Sequence, residues 1–194
     1  ELAVLGLAQA LSNGSRRWED VPGLTWVDSR GELRSTPQQP LLDELDALPV
    51  PARDRVLHCD FAKYRTHYAI SARGCPYSCS FCSDRELWCK SVRRRSVDRF
   101  VDELIGLEAD YQPQHVDIVD GTFTFDRKYL KAFCEQMIER GSKLRWRCTA
   151  RYDNLTEELL PLLRDAGCAA LYFGLESGSS RTLTRVKKGI GIHQ

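Results

Sequence analysis

Arg73-Gly74-Cys75-Pro76-Tyr77-Ser78-Cys79-Ser80-Phe81-Cys82 is the stretch on which the reading of this chain turns. It sets three cysteines, spaced Cys-x3-Cys-x2-Cys, on one tight loop directly after a stretch of strand character, Thr66 to Ser71. Three thiolates suit an iron–sulfur cubane in which one iron keeps no protein ligand. Closed structural zinc fits less well, because a tetrahedral site takes a fourth ligand, here Cys89 or His58. Gly74 and Pro76 supply the backbone freedom and the turn that wrapping a cluster requires. An iron left open is chemically useful, since a substrate or cofactor can bind it.

Downstream of the loop, strand and helix signals alternate. Ser96 is placed to cap a helix whose apolar face carries Phe100, Val101, Leu104, Ile105 and Leu107. A strand follows at His115 to Asp120. Asp126 then caps a helix with Tyr129, Leu130, Phe133, Met137 and Ile138, and Gly141 stands just past its end. The next strand is Leu144 to Thr149. A Leu-rich helix comes after it, with Pro161 shifting its start or bending it. A last strand runs from Ala169 to Gly174, and Ser179 starts another helix. This spacing predicts right-handed βαβ units and a parallel sheet. Periodicity alone fits either a partial barrel or a doubly wound sheet. In both, sites gather at the C-terminal ends of the strands, where the cysteine loop sits. The run Arg93-Arg94-Arg95 reads as a solvated stretch before a helix. Cys59, Cys89, Cys134, Cys148 and Cys168 read as core or surface thiols, Cys134 on a core helix face.

Upstream, residues 1–57 have a different texture. An apolar helix near Ala3 to Leu11 precedes a hairpin of Leu24 to Val27 and Glu32 to Arg34. Pro37, Pro40, Pro49 and Pro51 then mark a linker packed along a surface. The whole sequence has 194 residues, 42% hydrophobic and 28% charged, with a formal net charge of +1. That balance gives no electrostatic case for a nucleic-acid partner. No apolar run approaches the roughly twenty residues of a membrane span. Eight cysteines with no export signal point to thiols in a reduced, cytoplasmic setting. The absence of an initiator Met leads us to expect a piece of a longer protein.

Cys75-Pro76-Tyr77-Ser78-Cys79-Ser80-Phe81-Cys82 resembles the Cys-x3-Cys-x-aromatic-Cys signature of radical S-adenosylmethionine enzymes, and Ser71-Ala72-Arg73-Gly74 resembles their approach to the loop. The resemblance implies a [4Fe-4S] cluster on Cys75, Cys79 and Cys82, with S-adenosylmethionine chelating the open iron. An electron, from a donor such as flavodoxin or ferredoxin, then cleaves the sulfonium to methionine and a 5′-deoxyadenosyl radical, which takes hydrogen from a small-molecule or natural-product substrate. By the same resemblance Phe81 packs near the adenine, and Asp120 and Gly121 stand where a glycine-rich motif holds the methionine amino group. Only one glycine is present there, and no Glu follows it. Arg151, and Glu176 and Ser177 in Gly174-Leu175-Glu176-Ser177-Gly178, are similar to cofactor-binding positions at later strand ends. Each has a plainer reading: Glu176 and Ser177 as helix caps, Asp120 as the anchor of a turn, Arg151 as the partner of Asp153.

The segment from Val21 to Asp54, with Leu48-Pro49-Val50-Pro51-Ala52-Arg53, resembles the connection from a cobalamin-binding domain into the radical domain in cobalamin-dependent members. It implies that residues 1–57 are the remnant of such a domain plus a linker, and residues 58–194 the front of the radical core. The expected fold is α/β: a partial, TIM-like (β/α) barrel cut after about four strands, preceded by a linker subdomain. Methyl transfer or radical cyclisation with cobalamin is the implied chemistry. Two readings of other classes stand beside it, an iron–sulfur electron-transfer protein and a zinc-stabilised interaction module.

Overall fold

A computed structural model of the chain describes residues 2–88 and 91–192. Cys89, considered above as a fourth zinc ligand, lies outside the described residues. The chain forms two compact units, Glu1–Asp43 and Glu44–Gln194. In the first, helix α1 (Leu2–Ser12) is followed by an antiparallel hairpin of β1 (Thr25–Val27) and β2 (Leu33–Ser35). Its turn is held by Asp28, whose carboxylate accepts from the Arg30 and Glu32 amides at 2.8 and 3.0 Å. Residues 44–57 belong to the second unit, where Arg53 donates to the Tyr68 carbonyl at 2.8 Å.

The second unit runs β3 (Thr66–Ala69), β4 (Ala72–Arg73), α2 (Asp84–Leu87), β5 (Arg93–Arg94), α3 (Val97–Tyr111), β6 (His115–Ile118), α4 (Arg127–Glu139), β7 (Trp146–Ala150), α5 (Leu159–Asp165), β8 (Cys168–Phe173) and α6 (Ser180–Arg185). The expected caps are in place. Ser96 Oγ accepts from the Arg99 amide, Asp126 from Lys128 and Tyr129, and Ser179 from Thr182. Pro161 sits in the first turn of α5, where its missing N–H donor has no helical carbonyl to reach, so the element starts where the proline is tolerated.

Strands β3, β6, β7 and β8 pair in that order, all parallel. Sequential order settles what periodicity left open. Right-handed crossovers between successive neighbours put every helix on one face of the sheet, whereas a doubly wound sheet reverses direction and covers both. The side chains agree. His67, Ala69, Val116, Ile118, Trp146 and Cys148 alternate along the strands on the buried face. That face packs under Phe100 and Leu104 of α3 and Leu130, Phe133 and Met137 of α4. The rings of Phe123, Phe133 and Trp146 meet edge to face, with centroids 5.2 to 5.8 Å apart. The opposite face carries Tyr68, Asp117, Arg147 and Thr149, and Asp117 and Arg147 pair across register at 2.9 Å. A sheet with helices outside and polar residues inside is the wall of a partial (β/α) barrel.

One expectation is overturned. Arg93-Arg94-Arg95 is not a solvated run: Arg93 and Arg95 are 8% and 7% exposed. β5 pairs antiparallel with β4, Ala72 opposite Arg94 and Arg73 opposite Arg93, a ladder that the loop sequence did not announce. Arg95 reaches Glu103 of α3 at 2.7 Å, and Arg53 meets the same carboxylate at 2.9 Å. Glu103 faces both guanidinium groups in a nearly dry pocket, which lets Arg95 enter an interior that a lone arginine would avoid.

Candidate functional site

The β4–β5 ladder closes the base of the cysteine loop. Gly74, at φ +90°, turns the chain away from the ladder, and a Cβ there would strike the Ser91 carbonyl oxygen. Only glycine takes that conformation in that space without strain. The guanidinium groups of Arg73 and Arg93 stand 5.5 and 5.7 Å from the Trp88 ring.

Beneath the loop, Asp120 is 3% exposed. It accepts from the Ser71 and Ala72 amides at 2.8 and 3.1 Å and from the Ser71 hydroxyl, so it fastens the backbone that enters the loop. Arg94 stands 3.9 Å away, stacked on Tyr129 and Phe125 at 4.1 and 4.2 Å and donating to the Phe123 carbonyl at 3.2 Å. Burial pushes the Asp120 carboxyl above the ordinary carboxylate range, only partly offset by its hydrogen bonds and by Arg94.

Above this floor a cavity of about 190 Å³ opens at the C-terminal ends of the strands. Cys75, Cys79 and Cys82 border it from the loop, with Phe81 beside them. Gly121 and Thr122 follow β6, Arg151 follows β7, and Gly174 and Glu176 follow β8. Cys75 Sγ lies 3.5 Å from the Thr122 hydroxyl. Gly121 lets the strand end pass close to the loop, for a Cβ would come 3.2 Å from that of Cys75 and press on the Asp84 carboxylate. Arg151 is held in place: two contacts of 3.0 and 2.7 Å to Asp153, a donation of 2.8 Å to the Lys188 carbonyl, and Tyr77 stacked at 3.8 Å. Tyr77 in turn donates to Asn154 at 2.7 Å.

The structure therefore brings Cys75, Cys79, Cys82, Phe81, Gly121, Arg151 and Glu176 to one cavity. Asp120 is not among the lining residues, since its carboxylate is spent on the backbone below. Ser177 faces a neighbouring hollow with Tyr152, Phe173 and Leu175. The lining residues that the sequence reading did not assign to the site include Tyr77, Asp84, Thr122, Gly174 and Lys188. Thr122 was reachable, as the residue after the strand-end glycine; nothing in the pattern marked Lys188. The donor set fits an iron–sulfur cluster in kind: three thiols from one loop on one cavity, each free of a disulfide. Among the described residues no three His, Cys, Asp or Glu side chains are already gathered as a metal site. His58 does not line the cavity.

Comparison with known proteins gives the family. The family model described as the radical SAM superfamily matches residues 69–194. An uncharacterised methyltransferase of Pyrococcus horikoshii is 32% identical over all of this chain, which spans 42% of that protein. The anaerobic magnesium-protoporphyrin IX monomethyl ester cyclase of Rubrivivax gelatinosus is 30% identical over all of this chain and 36% of its own length. Among solved structures, the radical S-adenosylmethionine methyltransferase TsrM of Kitasatospora setae, with cobalamin and a [4Fe-4S] cluster bound, superposes with a TM-score of 0.76. It is 22% identical over 97% of this chain and 40% of its own. This chain thus spans less than half the length of each relative.

Proposed function

We propose that this chain, which belongs to the radical SAM superfamily, is the front of the barrel in an enzyme that cleaves S-adenosylmethionine reductively. The observation that carries the reading is the convergence of three loop thiols with Phe81, Gly121, Arg151 and Glu176 on one cavity at the strand ends. Cys75, Cys79 and Cys82 would hold a [4Fe-4S] cluster. With S-adenosylmethionine on its open iron and one electron from a donor such as flavodoxin or ferredoxin, it supplies methionine and a 5′-deoxyadenosyl radical.

The chain's own residues do the rest. The β4–β5 ladder, Asp120 and Gly74 fix the base of the loop, so binding iron has only to draw the three thiols together. Phe81, half exposed at the cavity mouth, offers an apolar face to an adenine ring. Arg151, fastened by Asp153, ties the end of β7 to the segment that walls the cavity. Glu176 presents carboxylate oxygens to ribose hydroxyls. Asp120 and Ser177, outside the lining, act on the cofactor through the backbone they hold.

Methyl transfer or radical cyclisation on a small-molecule substrate, with cobalamin from a preceding domain, is the finer proposal. Its support is the company the chain keeps: methyltransferases and a cyclase by sequence, and cobalamin-bound enzymes by fold. Residues 1–57 would then be the trailing part of the cobalamin domain and its linker, and the working compartment the cytoplasm. Among the described residues no helix is long and apolar enough to cross a membrane.

The test is product analysis on the full-length protein, reconstituted with iron and sulfide without oxygen and given a strong reductant. The wild type should release 5′-deoxyadenosine and methionine in equal amounts, and Cys82→Ala should release neither. Stoichiometric zinc in place of iron, or cleavage that survives loss of all three thiols, would overturn the reading.

A further inference from the structure

Lys188 is the cation in the cavity that neither the sequence pattern nor the comparisons single out. It is 9% exposed, and its Nζ stands 2.9 Å from Glu176 Oε1 and 5.9 Å from the Phe81 ring. It arrives on a pinned segment. The Val186 carbonyl accepts from the Ser80 amide of the cysteine loop at 2.9 Å. The Lys188 carbonyl accepts from Arg151 at 2.8 Å, and the Gly191 carbonyl from the Tyr152 hydroxyl at 2.7 Å. Residues 186–191 are thus strapped to both the loop and the end of β7.

Glu176, by contrast, sits on a backbone that would not hold it unaided. Its φ is +60°, a conformation that a non-glycine residue adopts only when its surroundings enforce it. The Glu176–Lys188 pair also crosses Gly174 closely: a Cβ there would lie 2.5 Å from Glu176 Oε1 and 3.0 Å from Lys188 Nζ. Glycine at 174 therefore leaves room for the pair rather than for a turn.

We infer that Lys188 is a positioning residue that holds the Glu176 carboxylate facing the cavity, one oxygen neutralised, so that the carboxylate can receive the paired hydroxyls of a ribose. The ligand class is a nucleoside with an intact ribose diol. The inference rests on the reading of the cavity as an S-adenosylmethionine site. Lys188 acts through Glu176, and Gly174 is the third member of the device.

The test is S-adenosylmethionine binding to full-length, cluster-loaded protein, measured by equilibrium dialysis beside an analogue lacking the ribose hydroxyls. Lys188→Met should weaken S-adenosylmethionine about tenfold, the worth of one charge-assisted hydrogen bond, and leave the analogue unchanged. Glu176→Gln should cost a similar factor. The Lys188→Met/Glu176→Gln double variant should cost no more than either alone, because the two act as one. Lys188→Arg should recover most of the loss. Gly174→Ala keeps both charges yet should reproduce it, which covers a Lys188→Met protein that fails to fold. Losses that add fully in the double variant, or an equal loss for the analogue, would overturn the inference. A wild type that binds neither ligand would instead overturn the reading of the site beneath it.

Discussion

Two carboxylates stand at corresponding places in this fold, Asp120 just past β6 and Glu176 just past β8, and the barrel uses them in opposite ways. Asp120 is sealed, with its oxygens taken by two backbone amides and a hydroxyl. Glu176 borders the cavity, about a third exposed, with one lysine on one oxygen. Being at the C-terminal end of a parallel strand brings a polar side chain to the site's neighbourhood; what its oxygens already hold decides whether it builds the site or serves it. A carboxylate whose oxygens are all taken within the fold is a fastener. One with an oxygen to spare is, on our proposal, a receiver.

The sharpest way to break that contrast is to remove the fastener. Asp120→Ala leaves two buried amides and the Ser71 hydroxyl without their acceptor and Arg94 without its counter-charge, and should cost about 3 kcal/mol or more of stability. Urea unfolding of the metal-free protein measures it. A loss under about 1 kcal/mol, the range of a surface contact, would remove Asp120 from the scaffold.

Gly74→Ala attacks the same scaffold at the mouth of the loop. It forces a side chain into left-handed backbone against the Ser91 carbonyl, and should cost about 2 kcal/mol and lower iron content after reconstitution. Full iron occupancy in that variant would show that the loop closes without its base turn.

Alkaline pH tests the dry side of the comparison. Burial pushes Cys168 up to about 11 and Cys134 up to about 12, and holds Cys148 higher still. These thiols ionise near 9 once unfolded, so their contribution is complete below that pH and drains away as pH rises through the folded values. The thermal midpoint of metal-free protein should be level between about pH 7 and 8 and fall above about pH 9. A midpoint that rises there would contradict the burial of these groups.

Glu176→Gln should be the smallest perturbation of stability, under about 1 kcal/mol, because a partly exposed pair gains little from its charge. Its effect belongs in ligand binding. A stability loss as large as that of Asp120→Ala would make Glu176 a second fastener and erase the distinction.

Much of this was written plainly in the chain. The caps at Ser96, Asp126 and Ser179 and the apolar faces of α3 and α4 are local signals, and local physics honours them. The three cysteines, bunched on the loop after β4, and the ends of β6, β7 and β8 were legible for the same reason. What stayed hidden depends on pairs far apart in sequence. Arg95 looks like a surface charge until Glu103 and Arg53 are folded onto it. Barrel against doubly wound sheet is decided by strand order, which no single strand encodes. Lys188 matters only because a strap carries it back to Glu176, twelve residues earlier in the chain.

The central claim, that Cys75, Cys79 and Cys82 present a cluster with one open iron to S-adenosylmethionine, has a direct test. It is electron paramagnetic resonance of the reduced, anaerobically reconstituted full-length protein, recorded with and without S-adenosylmethionine. The account predicts a cubane signal that S-adenosylmethionine shifts, and its disappearance in a folded variant with all three cysteines replaced by alanine. A cubane signal indifferent to S-adenosylmethionine, as in an electron-transfer protein, would contradict it.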